Sequence, residues 1–336
     1  MKALVLESVG NLVYKDVPDP VARSGEVLLR IRACGICSSD FDRCLKTGTY
    51  HFPTIPGHEF AGEIVSVGDG VDKKYLRRRA AVFPLLPDMT CDQCLQQAYA
   101  RCRNYNYFGS RCDGAFAELI AVPVWNLQLF SDSMPYKVGA LCEPAAVSYH
   151  AVSTADIGKS DSVCIVGTGT IGILSGLMAR MRGGNVAFAS RSEKKNTFLK
   201  ELGFSWFVAP GENLTNGAFG KVLECVGSDA SIARALELAA PAGQVVLVGN
   251  PDGDKHLPRK AYWKVLRSEL TLKGIWNSNY AAQSNEWSKV LRIFEAHPDV
   301  FAKLITHEFS LKEGVSAFLK LRESKTLVLK GMFIND

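Results

Sequence analysis

Two patterns of apolar and polar positions divide this chain. The first residues, to about position 35, alternate apolar and polar positions between turn residues, as at 26–33, which predicts β-strands. From about residue 160, apolar runs of strand length alternate with helical patterns and short turns, which predicts βα units and a parallel sheet covered on both faces. We expect these strands at 163–166, 186–189, 206–209, 221–226, 244–249 and 270–276, and the helices at 173–181, 193–202 and 229–240.

The first βα unit carries the pattern Gly-x-Gly-x-x-Gly directly after its strand. Gly167 allows a sharp turn, Gly169 leaves room for a pyrophosphate, and Gly172 lets the helix lie close to the sheet. The first turn of the helix, which includes Thr170 and Ile171, then presents its amides and dipole to the phosphates. The glycine pattern alone is weak evidence, but the βα units that follow it favour a dinucleotide-binding domain.

The end of the second strand indicates which dinucleotide binds. An NAD site usually has Asp or Glu about 20 residues after the glycines, where it holds the ribose 2′-hydroxyl. This chain has Ser190 there, followed by Arg191, Lys194 and Lys195. A small hydroxyl leaves room for a 2′-phosphate, which Arg191 and Lys195 can contact. The basic residues could instead be a solvated helix start, but that alternative does not explain the missing acid, so we expect NADP(H) in preference to NAD(H).

Two later strand ends are expected to border the nicotinamide. Ligands of such sheets bind outside the carboxyl ends of the strands. Val226 follows one predicted strand, and Val248 and Gly249 end another. We therefore place these three residues in the cofactor site.

Composition limits the possible function classes. The 336 residues are 47% hydrophobic and 22% charged, with a net charge of +5, and no basic stripe interleaved with aromatic residues is present. These values are ordinary for a globular protein and do not call for nucleic acid. We see no apolar run of membrane-spanning length and no secretory leader, so we expect neither a membrane partner nor secretion. Ten cysteines in such a chain favour thiols and metal ligation in a reducing cytoplasm over a disulfide framework.

Three short segments before the dinucleotide-binding region carry metal-ligating residue types. They are Cys37-Ser38-Ser39-Asp40, Gly57-His58-Glu59 and Cys142-Glu143-Pro144. Each is modest evidence alone, because buried cysteines are usually inert and a single histidine is more often structural than a ligand. Thiolate, imidazole and carboxylate together suit Zn²⁺.

In this order and with the glycine pattern, the segments resemble the zinc-dependent medium-chain dehydrogenases. The resemblance covers nearly the whole chain and is greatest for the polyol and polyol-phosphate branch. The stretches that carry the closer likeness are Pro84-Leu85-Leu86-Pro87 and Tyr107-Phe108-Gly109-Ser110-Arg111-Cys112-Asp113-Gly114-Ala115-Phe116-Ala117-Glu118.

The resemblance implies roles for individual residues. Cys37, His58 and Glu143 would hold a catalytic zinc, and Glu59 would be either a direct ligand or a carboxylate beside the ligands. Asp40 would accept a hydrogen bond from His58 and fix its tautomer. Ser39 would carry the proton of the substrate hydroxyl outward.

A cysteine-containing lobe resembles the structural zinc site of the same family. That site has four cysteines, whereas this chain has Asp88, Cys91, Cys94 and Cys102 in the matching positions. Carboxylate is an acceptable zinc ligand, so an Asp-Cys₃ site is possible. The alternative is a metal-free lobe with free thiols; exposed thiols are reactive, which favours a filled site.

The implied fold is α/β, with a Rossmann doubly wound parallel sheet domain and a β-rich GroES-like catalytic domain. We expect the catalytic domain at 1–147 and 278–336 and the Rossmann domain at 148–277. The implied partner is a second copy of the chain, in a homodimer formed through edge strands.

The implied activity is hydride transfer between a nicotinamide cofactor and a polyol, a polyol phosphate or the matching ketose. Arg111 and Lys46 are candidates to meet a substrate phosphate. One alternative is an NADPH-dependent zinc alcohol dehydrogenase or aldehyde reductase acting on simple substrates. Another is a non-catalytic binding protein on the same fold, which the intact metal-ligand set argues against.

Overall fold

The computed structural model describes residues 1–209, 211, 216–251 and 253–335, and the chain forms two compact units. The first unit contains Met1–Glu143 and the C-terminal segment from Asn279, and the second contains Pro144–Ser278. The chain therefore changes units at 143/144 and 278/279, close to the expected 147/148 and 277/278.

The N-terminal part of the first unit is rich in strands. Its strands are β1 (Lys2–Ser8), β2 (Asn11–Asp16), β3 (Glu26–Ile36), β4 (Glu59–Val67), β5 (Arg79–Val82), β6 (Leu85–Leu86), β7 (Asn106–Tyr107), β8 (Leu119–Pro123) and β9 (Leu127–Phe130). Its helices are α1 (Ser38–Asp42), α2 (Asp92–Leu95) and α3 (Tyr136–Ala140), and α4 (Cys142–Thr154) follows them across the boundary at 143/144.

The strands predicted from alternation are confirmed. On β3, Val27, Leu29, Ile31 and Ala33 are buried, as expected for one face of a strand that packs on a core. Strand β3 pairs with β4 and β8 and lies in the middle of a seven-stranded sheet.

The second unit contains a six-stranded parallel sheet. Its strands are β10 (Ser162–Val166), β11 (Asn185–Ala189), β12 (Trp206–Val208), β13 (Phe219–Glu224), β14 (Ala239–Leu247) and β15 (Thr271–Gly274), in the order β12-β11-β10-β13-β14-β15. The connecting helices are α5 (Thr170–Met181), α6 (Glu193–Glu201), α7 (Asp229–Leu238) and α8 (Arg259–Arg267). This is the strand order of a Rossmann domain, which confirms the predicted doubly wound sheet.

Two of the strand boundaries that differ from the prediction have a visible local cause. β13 ends at Glu224, because its carboxylate accepts hydrogen bonds from the amides of Val226 (2.8 Å) and Gly227 (2.9 Å) and turns the chain. β14 begins at Ala239 and includes Ala242 at a φ of 57°, an irregular start that the apolar run does not reveal.

The C-terminal segment completes the first unit. It contains α9 (Glu286–Ala296), α10 (Pro298–Ala302), β16 (Ile305–Phe309), α11 (Gly314–Glu323) and β17 (Lys330–Ile334). Helix α9 is amphipathic, and its apolar face buries Trp287, Val290 and Phe294. β17 inserts between β16 and β3, so the end of the chain joins the sheet formed by its beginning. Among the described residues no helix is long and apolar enough to span a membrane.

Candidate metal and cofactor sites

The end of β3 and the start of α1 hold the first predicted metal ligand. Cys37 is the N-cap residue of α1, and its amide donates to Oδ2 of Asp40 at 2.9 Å. An acid three residues after a helix N-cap is a typical capping arrangement, so the local sequence itself dictates this turn. The position of Cys37 is therefore fixed by its own segment.

Three of the predicted ligands lie together. The ligand atoms of Cys37, His58 and Glu59 all lie within 4.8 Å of one another, and the histidine and glutamate are buried. Glu59 begins β4 and pairs with Gly35 of β3. A Cβ atom at position 35 would lie 2.2 Å from Oε2 of Glu59, so the glycine makes room for this carboxylate.

Asp40 and His58 face each other in the interior. Nδ1 of His58 lies 3.4 Å from Oδ1 of Asp40. This nitrogen is buried, and its contact with Asp40 does not have the geometry of a hydrogen bond. Burial raises the pKa of Asp40, but the charges of His58 and Arg43 and the Cys37 amide outweigh it, and the pKa is lowered. Since Nδ1 faces Asp40, Nε2 is the nitrogen left for a metal. Thiolate, imidazole and carboxylate close together are a donor set that fits zinc.

Glu143 lies near the group formed by Cys37, His58 and Glu59 but does not belong to it. Its Oε1 accepts a hydrogen bond of 3.1 Å from the hydroxyl of Tyr107. Burial, with Glu59 acting in the same direction, raises the pKa of Glu143 to about 7 against the opposing effects of His58, Lys330 and Tyr107. Burial and the Glu143 charge hold the pKa of Tyr107 well above its usual value, so this hydroxyl stays protonated and donates.

Sequence reasoning missed two cations at this site. Nζ of Lys330, the first residue of β17, lies 2.8 and 2.6 Å from the two carboxylate oxygens of Glu59, and both side chains are buried. Nη1 of Arg43 lies 3.0 Å from Oγ of Ser39 and 3.4 Å from Oδ1 of Asp40.

Each cation had a signal in the sequence. Lys330 is a charged residue at the end of an apolar run, and a buried lysine is rare without a partner. Arg43 follows Ser39 by four positions and Asp40 by three, which are the separations at which helical side chains meet.

The lobe residues also lie together. The ligand atoms of Asp88, Cys91, Cys94 and Cys102 are all within 4.8 Å of one another. Sγ of Cys91 lies 3.6 Å from that of Cys94 and 3.9 Å from that of Cys102. Tetrahedral Zn–S bonds of about 2.3 Å place two sulfurs about 3.8 Å apart, so this spacing fits zinc.

Asp88 has a second role in the lobe. Its Oδ1 accepts hydrogen bonds of 2.9 Å from the amides of Cys91 and Thr90, which hold the pKa of its carboxyl well below the usual range. A carboxylate that stays ionised and has its other oxygen available can act as a metal ligand.

The glycine loop of the second unit has the geometry that a pyrophosphate needs. Gly167 adopts a φ of 105°, and a Cβ atom on Gly172 would lie 2.1 Å from the carbonyl oxygen of Gly167. Above Gly169 the space is open, since an added Cβ would meet no atom within 4 Å. Thr170 and Ile171 begin α5 immediately after it, with Gly169 as the N-cap.

The residues predicted to select the cofactor lie at the end of β11. Oγ of Ser190 lies 3.3 Å from the hydroxyl of Thr168 and accepts a 3.2 Å hydrogen bond from the Ser192 amide. Arg191 is exposed. Lys195 lies in the first turn of α6, where burial lowers its pKa.

The other two strand ends are joined by Glu224. In addition to its carboxylate contacts with the Val226 and Gly227 amides, its carbonyl oxygen accepts from Val248 at 2.8 Å and Gly249 at 3.0 Å. The structure thus brings Val226, Val248 and Gly249 together. Val226 is 47% exposed, so its apolar side chain is available to a ligand.

The chain matches two protein families in sequence. Residues 23–132 match the alcohol dehydrogenase GroES-like domain, and residues 170–296 match the zinc-binding dehydrogenase domain. It is also 34% identical over 330 residues to galactitol 1-phosphate 5-dehydrogenase of Escherichia coli (strain K12), with 94% of this chain and 95% of that protein covered.

The chain belongs to the zinc-dependent medium-chain dehydrogenase family. A second relative, D-altritol 5-dehydrogenase of Agrobacterium fabrum, is 30% identical over 328 residues, with 95% of this chain and 96% of that protein covered. Family membership confirms the resemblance to the polyol branch, the two-domain fold class and the assignment as a dehydrogenase.

Solved structures of family members give the same fold. The crystal structure of galactitol-1-phosphate dehydrogenase from Escherichia coli matches with a TM-score of 0.92 at 31% identity, over all of both chains. A structure described as a zinc-binding dehydrogenase from Sinorhizobium meliloti 1021 bound to NADP matches with a TM-score of 0.89 at 27% identity, over 99% of both chains.

Proposed function

We propose that this dehydrogenase transfers hydride between NADP(H) and a polyol or polyol phosphate, with the matching ketose as the oxidised partner. The observation that carries the proposal is the buried group of Cys37, His58 and Glu59, whose ligand atoms lie within 4.8 Å of one another. The names of the two relatives, which act on galactitol 1-phosphate and D-altritol, support a polyol substrate.

Cys37 and His58 would hold the catalytic zinc, with Glu59 and Glu143 as the carboxylates that complete or adjoin the ligand set. When bound, zinc supplies a Lewis acid that lowers the pKa of the substrate hydroxyl, and the nicotinamide supplies the hydride acceptor. Asp40 orients the imidazole of His58 by facing Nδ1. Tyr107 holds the carboxylate of Glu143 through its hydroxyl.

Ser39 transfers the proton of the substrate hydroxyl towards solvent. Arg43 donates to Oγ of Ser39, so one acceptor position of that oxygen is occupied and the hydroxyl hydrogen is directed elsewhere. A guanidinium remains protonated and cannot accept the proton. Arg43 therefore orients Ser39 and adds positive charge, while the proton leaves through the Ser39 hydroxyl towards solvent.

NADP(H) is the proposed cofactor in preference to NAD(H). Gly167, Gly169 and Gly172, with Thr170 and Ile171, would receive the pyrophosphate, and Val226, Val248 and Gly249 would border the nicotinamide. Ser190 offers a hydroxyl where NAD sites carry an acid, and Arg191 and Lys195 would meet the 2′-phosphate. The NADP-bound relative supports this preference.

The lobe would hold a second zinc with a structural role. Asp88, Cys91, Cys94 and Cys102 provide four ligands and leave no position open for a substrate, which is typical of structural zinc. All ten cysteines are free thiols, which supports work in a reducing cytoplasm.

The enzyme is proposed to act as a homodimer through strand β15. Every residue of this strand is exposed, and among the described strands it pairs only with β14. Trp276, two positions after the strand, and Leu272 within it expose apolar surface. An open strand edge with apolar neighbours is suited to pairing with a second copy.

The proposal is tested by a substrate screen on the zinc-replete protein. The screen uses polyols, polyol phosphates, the matching ketoses, simple alcohols and aldehydes, each with NADP(H) and NAD(H), and follows nicotinamide absorbance. We expect turnover of a polyol or polyol phosphate, higher kcat/KM with NADP, and loss of activity after chelation. Activity confined to simple alcohols or aldehydes would favour the alternative function, and failure to bind either nucleotide would contradict the proposal.

A further inference from the structure

The guanidinium of Arg111 contacts two aromatic rings of the first unit. Its guanidinium carbon lies 4.4 Å from the ring centre of Tyr50 and 4.4 Å from that of Tyr105. Nη1 donates to the carbonyl oxygen of Tyr105 at 3.3 Å, and Nη2 donates to the hydroxyl of Tyr50 at 3.3 Å. The two ring contacts and the two hydrogen bonds restrict the side chain, so the directions of its remaining N–H groups are set in advance.

The loop that carries Arg111 also carries part of the proposed zinc site. The amide of Arg111 donates to the carbonyl oxygen of Tyr107 at 3.0 Å, and the hydroxyl of Tyr107 donates to Glu143. The ring of Tyr107 lies 5.7 Å from that of His58 and 6.4 Å from that of Tyr105, measured between centroids. A series of ring contacts through Tyr105 and Tyr107 therefore connects Arg111 to His58.

Arg111 differs from the other cations singled out in this region because it lacks an acidic partner. Lys46 pairs with Asp42 at 2.9 Å, and Arg43 contacts Asp40. Within the described parts of the chain, no carboxylate lies within 4.0 Å of the Arg111 guanidinium. Asp113, two positions away, instead accepts a hydrogen bond from the Ile55 amide.

An arginine has five N–H donors, and two of these are used within the protein. The donors that remain belong to a rigid, partly exposed fork, which matches the oxygens of a phosphate. Lys46, by contrast, is neutralised and exposed, so the structure does not favour it for the same task.

We propose that Arg111 binds the phosphate of the substrate and makes this enzyme selective for polyol phosphates over free polyols. This inference rests on the proposed function, since it concerns the same substrate site. In it, the phosphate end of the polyol lies at Arg111, and the reacting carbon lies near Ser39 and the metal ligands. Tyr50 and Tyr105 restrict the guanidinium and do not contact the phosphate.

The test compares galactitol 1-phosphate with galactitol as substrates of the zinc-replete enzyme and of Arg111→Gln. We expect wild type to prefer the phosphate ester. In Arg111→Gln we expect kcat/KM for the ester to fall by about 10- to 100-fold, because charged hydrogen bonds are lost, while the value for galactitol changes less than about twofold. Arg111→Lys keeps the charge without the fork and should lie between wild type and Arg111→Gln.

Two controls separate recognition from loop structure. Lys46→Gln removes a positive charge elsewhere in the same unit and should leave the preference unchanged. Inorganic phosphate should inhibit galactitol oxidation competitively in wild type and about tenfold less effectively in Arg111→Gln. Melting temperature and zinc content verify that each variant is folded.

Several results would overturn the inference. If Arg111→Gln slowed both substrates equally, Arg111 would only stabilise the loop. A wild-type enzyme that turns over galactitol and its phosphate equally well would contradict the selectivity and leave polyol oxidation standing. A wild-type enzyme inactive on all polyols and their phosphates would overturn both the proposed function and this inference.

Discussion

At the scale of single residues, the positive charge of buried Lys330 balances the negative charge of Glu59 beside the proposed metal site. Both oxygens of Glu59 contact Nζ of Lys330, which also reaches the carbonyl oxygen of Ile36 at 3.4 Å. Burial lowers the pKa of Lys330, but the opposing effects of Glu59, Cys37 and Glu143 are larger. The pKa is therefore raised above its usual value, and the ammonium form is favoured. A buried charge is tolerated when its partner is in place and is costly when that partner is removed.

We predict that Lys330→Met destabilises the chelator-treated protein by about 3–5 kcal/mol, because Glu59 would be left as an uncompensated buried charge. The measurement is the free energy of unfolding from urea titration. The matched control is Lys137→Met, which breaks an ion pair of 2.8 Å with Glu308 whose side chains are 39% and 45% exposed. That variant should lose less than about 1 kcal/mol. Equal losses in the two variants would contradict the role given to Lys330.

A second prediction at this scale concerns cofactor choice. We predict that Ser190→Asp shifts the ratio of kcat/KM values by about tenfold or more towards NAD, since a carboxylate repels the 2′-phosphate and can hold a ribose hydroxyl. The control is Ser192→Asp, which adds the same charge at the N-cap of α6, where Asp is as good a cap as Ser. Its shift should be smaller. An unchanged ratio in Ser190→Asp would remove the basis for predicting NADP.

At the scale of elements, the lobe consists of structure too short to be stable alone. α2 has four residues, and the 3₁₀ turn that follows it, Tyr99–Arg101, has three. Four residues in or next to these short elements have their ligand atoms within 4.8 Å of one another, namely Asp88, Cys91, Cys94 and Cys102. Because isolated short helices are marginal in water, a bound metal would determine whether the lobe is ordered.

We predict that Asp88→Ala cannot retain a zinc in the lobe, because it removes both a proposed ligand and the acceptor for two backbone amides. Metal analysis after dialysis against a chelator should then find about one zinc per chain where wild type retains about two. Asp88→Cys should hold the second zinc more firmly than wild type, since it completes a four-cysteine set. Asp92→Ala, in the same lobe but paired with Arg103 on the surface, should behave as wild type. If Asp88→Ala kept both metals, Asp88 would not be a ligand.

The predictability of an element depends on how local its causes are. The βα units were predictable because apolar runs, turn residues and the glycine pattern act within a few positions, and α5 begins within three residues of the expected start. The end of β13 was not predictable, because it depends on two backbone amides that donate hydrogen bonds to the Glu224 side chain. The turn of Cys37 and Asp40 lies between these cases, since its capping pattern is local but its contact with His58 is not.

At the scale of the whole molecule, the first unit is built from both ends of the chain. Lys330 and Glu59 are 271 positions apart, and β17 pairs with β3. Family resemblance predicted that the chain returns to the first domain, but spacing alone could not say which cation would meet Glu59. The contact of Arg111 with Tyr50 and Tyr105 is hidden in the same way, because Tyr50 lies 61 positions away. The motifs and the family resemblance predicted the class of protein, and only the folded chain identifies these partners.

Assembly is the remaining property at this scale. We predict that the wild-type protein has twice the mass of the chain in sedimentation equilibrium, and that Leu272→Lys weakens the dimer at least about tenfold, because it places like charges at the paired edge. The control is Leu319→Lys on α11, since Leu319 is 38% exposed and Leu272 is 39% exposed. The control should remain dimeric. A monomeric wild type, or a dimer insensitive to Leu272→Lys, would exclude the edge of β15 as the interface.

The turn from Cys37 to Asp40 has a practical consequence for protein engineering. One oxygen of Asp40 fixes the backbone of the thiol donor, and the other faces the imidazole and the guanidinium of Arg43. In the proposed metal site, the local fold of the chain and the placement of the ligands are therefore linked through a single side chain. A designer who wished to graft this centre onto a new scaffold would have to transplant the turn intact, together with the arginine one helical turn later.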